Sequence, residues 1–105
     1  MPELHLIERG QHKENLRCID KTNKEWESGN WVVSEETAEK LIGGHIFLHK
    51  GQDKPSHFGG VILSFHSQKC GQDAGRIAFR FRAGIEFKGI PTDRSGWGNE
   101  KKIVW

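Results

Sequence analysis

The chain has 105 residues, of which 34% are hydrophobic and 29% charged, and its formal net charge is +2. This length suits one core, because two separate cores would each bury too little surface, so we expect a single domain over residues 1–105. A charge so close to zero neither requires nor excludes a polyanionic partner. The sequence contains no apolar stretch long enough to cross a bilayer, which predicts a cytoplasmic protein without a membrane partner.

The cysteines and the first residues carry little structural information. Cys18 and Cys70 form no CxxC pair and lack the dense spacing of a disulfide framework, so we expect both to be reduced, with Cys18 buried. Residues 1–13 mix charged with apolar side chains, which predicts a loose N-terminal segment.

The first half of the chain predicts one strand and one short helix. Leu16–Asp20 alternates apolar and polar residues, as a strand does, and leads into a turn-rich loop over 21–30. A short extended piece follows at 31–33. Ser34 is suited to cap a helix of about two turns, which the left-handed conformation favoured by Gly43 would end.

The second half predicts strands at 45–49, 61–66, 76–82 and 102–105. In the third of these, one face carries Ile77, Phe79 and Phe81, and the other carries arginines. Val61, Leu63 and Phe65 repeat the alternation, which predicts an adjacent antiparallel strand with the same core face. We therefore expect an α+β fold, a small and mostly antiparallel β-barrel with one or two short helices.

The histidines do not predict a metal site. His45 and His49 would lie about 13 Å apart on a strand, which is too far to share one ion, and no HExxH motif is present. Ser56 and His57 are neighbours, so in an extended chain their side chains point apart and cannot form a catalytic pair. We expect no metal and no other cofactor, and the sequence favours binding over catalysis.

One alternative is enzymatic. Asp93, Glu100 and Lys102 have the outline of a D…ExK set, which would place two carboxylates and a lysine around a divalent ion in a small nuclease. The same residues are equally typical of a solvated, charged turn before the last strand.

Aromatic residues in polar segments give the strongest functional signal. Trp26, Phe58 and Trp97 all lie among residues that favour turns and exposure. Such rings suit a stacking pocket for a flat ligand, with Asn23 or Ser56 available for hydrogen bonds to its edge. The competing interpretation is that each tryptophan plugs one end of a small barrel.

Basic residues could hold a nucleic-acid backbone beside this pocket. The candidates are Lys50, Lys54, Arg76, Arg80, Arg82, Arg94, Lys101 and Lys102. A solvated outer sheet face explains the arginine row as well, so both interpretations stay open.

The order of elements resembles the PUA-like pseudobarrels, which include the EVE, ASCH and YTH domains. The resemblance rests on the segments WESGNW, SEETAEKLI, GGHIFLHK and PSHFGGVI. It implies binding of RNA or DNA and a flipped, often modified base held in an aromatic pocket. The pocket residues that it implies are Trp26, Trp31, Ser56, Phe58 and Trp97, with His49 and Lys50 at the rim.

Together these features predict a noncatalytic nucleic-acid-binding module that recognises a base in an aromatic pocket. The nuclease outlined above is the first alternative. The second is a small interaction module, whose exposed tryptophan and phenylalanine side chains would form a patch for a protein partner.

Overall fold

A computed structural model describes residues 2–8, 16–69, 74–92, 95–98 and 101–105, with Asn30 described in its backbone only. The elements are β1 (Glu3–Ile7), β2 (Leu16–Asp20), β3 (Glu25–Trp31), α1 (Glu35–Leu41), β4 (His45–His49), β5 (Ser56–Ser67), β6 (Ile77–Ala83), a short 3-10 helix (Ile85–Phe87) and β7 (Lys101–Val104).

The strands form one mixed sheet in the order β2-β3-β6-β5-β4-β1-β7. Every neighbouring pair is antiparallel except β1 with β4, so the small, mostly antiparallel α+β fold is confirmed. Barrel closure is not seen in the described strands, because β2 and β7 remain edges. The sheet nevertheless curls strongly, since the Lys101 amine on β7 donates to the carbonyl of Val32 just beyond β3, at 2.8 Å.

The core lies on the face of the sheet that carries alternate residues of β1, β4 and β6. Phe79 and Phe81 are its largest fully buried side chains, and Ala38 and Leu41 of α1 pack into the same cluster. A seven-residue helix is too short to be stable alone, so this burial holds α1 in place. Within the described ranges, no helix has the length and apolar character that crossing a membrane requires.

The helix begins and ends where its sequence predicts. The Ser34 hydroxyl caps α1 by accepting from the Thr37 amide at 3.1 Å. Gly43 follows the helix with φ +86°, a conformation that costs a glycine little because it lacks a Cβ. The chain then enters β4 directly.

Three sequence predictions are wrong in the first part of the chain. Glu3–Ile7, predicted as part of a loose segment, is β1 and lies between β4 and β7 with its last four residues buried. Most of the predicted loop 21–30 belongs to β3. Its glutamates alternate with Trp26 and Ser28, and all four residues pair with β6. Cys18 is exposed and lies on the edge strand β2. The other cysteine, Cys70, lies outside the described residues.

A bulge changes the faces of β5. The pairing with β6 shifts between Ile62 and Ser64, so Ile62 opposite Phe81 is buried while Val61 and Leu63 are half-buried. Beyond the bulge Phe65 packs on the core again. The predicted core face is therefore wrong for Val61 and Leu63, and it is correct for Phe65, beyond the bulge.

A second layer covers the other face of β4 and β5. Ser56 joins the start of β5 to residues 87–90 through two backbone hydrogen bonds and two made by its hydroxyl. Gly59 permits this layer to approach, because a Cβ there would lie 3.1 Å from the Cβ of Phe87 and 2.3 Å from the carbonyl oxygen of Ile46. Phe87 is consequently buried against the sheet.

Candidate functional site

The structure brings together two of the aromatic side chains predicted to line a pocket. The rings of Trp26 on β3 and Phe58 on β5 meet edge-to-face with centroids 5.0 Å apart, and both residues are half-buried. The Lys88 amine lies 5.8 Å from the Phe58 ring centroid, within cation–π range. Phe58 also contacts the buried ring of Phe81, so this pair continues the core towards one end of the curled sheet.

The other two tryptophans of the predicted pocket lie elsewhere. Trp31 is only 8% exposed and its indole nitrogen donates to the Ser28 hydroxyl at 3.0 Å. Trp97 packs against His49, with ring centroids 5.7 Å apart, and against His5. The predicted pocket residues therefore fall into separate groups.

Both predicted hydrogen-bonding residues bind their own chain. Ser56 is 3% exposed, and its hydroxyl donates to the carbonyl of Phe87 and accepts from the amide of Ile90. Asn23 is exposed, but its side-chain amide donates to the Asp20 carboxylate at 2.8 Å and stabilises the turn between β2 and β3.

Carboxylates on β3 pair with one arginine of the predicted basic face, Arg80, and with Arg17 on β2. The Arg80 guanidinium contacts one oxygen of Glu25 at 2.6 and 2.7 Å, while Glu27 accepts from Arg17 at 2.8 Å. Arg82 is exposed. Lys50 and Lys54 are exposed on the turn between β4 and β5, and Arg94 lies outside the described residues.

Little of the proposed nuclease set can be placed. Asp93 and Glu100 lie outside the described residues, whereas Lys102 is 7% exposed with its amine 2.8 Å from the Thr92 hydroxyl. Across the described ranges, no group of three or more histidine, cysteine, aspartate or glutamate residues is arranged to hold a metal ion.

A cleft of about 700 Å³, here called the seam cleft, opens where β7 approaches the connection between β3 and α1. Its lining residues come from that connection, from α1, from the segment before β6 and from β7: Val32, Val33, Ser34, Thr37, Ala74, Gly75, Arg76, Lys101 and Ile103. Its volume lies in the range usual for small-molecule sites.

The seam cleft combines an apolar wall with positive charge. Val33 and Ile103 supply apolar surface, and among the described lining residues Arg76 and Lys101 carry charge. Lys101 donates to one backbone carbonyl, which leaves other hydrogens of its ammonium group available. Such a cleft suits a flat apolar group that carries an anion.

A buried chain of hydrogen bonds crosses β1 and β4, on the face away from the main core. His5 Nε2 lies 3.0 Å from a carboxylate oxygen of Glu3, and His5 Nδ1 lies 2.8 Å from His49 Nε2. His49 Nδ1 in turn lies 2.8 Å from the carbonyl oxygen of Lys54. The two rings are 1% and 0% exposed, and Trp97 covers both.

Burial sets the proton affinity of these rings. Loss of solvent around His5 lowers its pKa below the usual 6.5, although the hydrogen bond to Glu3 acts in the opposite direction. Burial likewise lowers the pKa of His49, which the Lys54 carbonyl partly offsets, while the nearby Lys102 and His57 add to the lowering.

Comparison of the chain with protein-family models, with curated proteins and with solved structures finds no match. The likeness to PUA-like domains therefore stays a prediction.

Only a faint sequence signal marks the histidine pair. His5 stands between Leu4 and Leu6, so alternation places its side chain on the opposite face from theirs. Its partner His49 is 44 residues away, and the two rings meet only because β1 pairs in parallel with β4. A search for local motifs therefore does not connect the two histidines.

Proposed function

We propose that this chain is a noncatalytic, cytoplasmic nucleic-acid-binding module of the PUA-like type, and that the seam cleft holds one nucleotide of its ligand. The seam cleft itself is the observation that carries the proposal. In this proposal a base packs against Val33 and Ile103 and the adjoining phosphate contacts Arg76 and Lys101, all of which line the cleft. The curled sheet and the capped helix before the Gly-led β4 support the pseudobarrel assignment.

Charge favours this cleft over the arginine row of β6. A phosphate at Arg80 would compete with the Glu25 carboxylate, which already holds the guanidinium. Among the described residues that line the seam cleft, none is a carboxylate. An anion bound there would meet two positively charged side chains, those of Arg76 and Lys101.

The proposal is tested by fluorescence anisotropy with a labelled single-stranded oligonucleotide over a range of salt concentrations. Lys101→Gln removes one positive charge while retaining a donor for the Val32 carbonyl. It should weaken binding and reduce the slope of log K against log salt by about 0.7, the value for one lost phosphate contact on a single strand. Lys21→Gln is the matched control, because Lys21 is exposed in the turn before β3, outside the cleft.

Two results would count against the proposal. Binding that is absent, or that does not depend on salt, would remove nucleic acid as the ligand. If Phe58→Leu abolishes binding while Lys101→Gln leaves it at the level of the control, the ligand binds at the Trp26–Phe58 pair instead. Comparing RNA, DNA and modified strands in the same assay then identifies the preferred ligand.

A further inference from the structure

The hydrogen-bond chain from Glu3 to Lys54 needs more protons than two neutral histidines carry. It has three contacts, and each of them requires one hydrogen between its two atoms. A neutral imidazole carries a single N–H, so the two rings supply two hydrogens. With Glu3 ionised, all three contacts can be hydrogen bonds only when one ring has bound an additional proton.

The exposure of the two end acceptors favours one site for that proton. The Lys54 carbonyl and the Glu3 carboxylate can both only accept, so the neutral pair leaves one of them without a hydrogen. Water can solvate the Glu3 carboxylate, which is 40% exposed, so His49 keeps its hydrogen on Nδ1 against the Lys54 carbonyl and presents a bare Nε2 to His5. His5 must then donate from Nδ1 to that nitrogen. The remaining nitrogen, His5 Nε2, has no hydrogen in the neutral pair and faces the carboxylate of Glu3.

We propose that His5 Nε2 is a proton-operated switch that controls whether the side chain of Glu3 is held against the start of β1. Proton uptake from solvent converts His5 to an imidazolium that donates at both nitrogens, and the bond to Glu3 forms. Proton release leaves the lone pair of His5 Nε2 opposite the Glu3 carboxylate. The two groups then repel each other, and the Glu3 side chain rotates towards the solvent. The Glu3 side chain is 40% exposed, which gives the proton a path to a ring that is itself 1% exposed.

The charged groups around the pair come from every strand packed against it. Glu3 on β1 favours the proton, whereas Lys102 on β7 and His57 on β5 oppose it. Lys102 pairs directly with His5 across the two strands. Since burial and the positive charge of Lys102 act together against the half-exposed carboxylate of Glu3, the switch operates on the acid side of neutrality.

Nitrogen-detected NMR on the intact, histidine-labelled protein tests this directly, with the signal of His5 assigned from its loss in His5→Gln. In the alkaline spectrum, both His5 and His49 should show a hydrogen on Nδ1 and a bare Nε2. Acidification should add a proton to His5 Nε2 while Nδ1 stays protonated. A neutral His5 that carries its hydrogen on Nε2, or first protonation at His49, would overturn the proposal.

A variant separates the switch from ordinary titration. Glu3→Gln removes the carboxylate from a half-exposed position and should reduce the proton affinity of His5 about two- to fivefold, the usual effect of an exposed ion pair. Glu36→Gln is the control, because Glu36 is exposed on α1 and pairs with Lys40. Equal titration of His5 in both variants would also refute the role of Glu3.

Discussion

Replacement of Ser56 by alanine tests whether residues 87–90 depend on one hydroxyl. The backbone of Ser56 would keep its two bonds to this segment, but the carbonyl of Phe87 and the amide of Ile90 would lose their side-chain partner. Two lost hydrogen bonds at a site 3% exposed cost about 2 kcal/mol of unfolding free energy. For a domain of this size, that lowers Tm by about 8–16 °C.

Urea and thermal unfolding followed by circular dichroism measure this difference. Ser64→Ala is the matched control, because Ser64 lies on the same strand with its side chain exposed, and its free energy of unfolding should change by less than about 0.5 kcal/mol. Equal losses in the two variants would show that the Ser56 hydroxyl does not hold the second layer.

Stability should also depend on pH and on one glycine. Burial lowers the pKa of His5 and His49 in the folded state. As pH falls through 6.5, the unfolded chain therefore binds more protons than the folded one. The free energy of unfolding is highest above this pH and decreases below it. Urea titrations at about pH 7.5 and about pH 5.5 check the sign, and equal or greater stability in acid would contradict it. In Gly60→Ala the new Cβ would lie 2.0 Å from the carbonyl oxygen of Arg82, so we expect a loss of about 3 kcal/mol or more. The Cβ of Gly51→Ala would lie 3.3 Å from a flexible side-chain oxygen of Asp53 and 3.7 Å from Lys54 Cγ, so this variant should unfold at nearly the same urea concentration as the parent protein. Similar losses in both glycine variants would refute the steric explanation.

Local patterns in the sequence predicted the parts of the fold that local chemistry determines. The alternation through Ile77, Phe79 and Phe81 identified β6 and its core face, and Ser34 and Gly43 marked the helix boundaries. These signals depend on residues a few positions apart. They therefore remain readable without knowledge of which strands pair.

Features that depend on distant pairing were not predictable in the same way. The sequence analysis missed β1, a short strand that carries a histidine at its centre. That histidine is buried because β1 lies between β4 and β7, which the local sequence does not indicate. The seam cleft combines residues 32–37 with 74–76 and β7, which no local pattern joins. Trp31 looked available for a ligand, but its indole is buried and bonded to Ser28.

The position of β1 between β4 and the edge strand β7 suggests an order of folding. Its parallel partner β4 begins about forty residues later in the chain, and among the described strands β7 pairs only with β1. Closing so long a loop costs chain entropy before any contact forms, so docking of β1 should follow the antiparallel pairing of β4, β5 and β6. Since β7 pairs with β1, it should join the sheet only after β1 has docked. We therefore expect β1 and β7 to be added to the sheet together, late in folding.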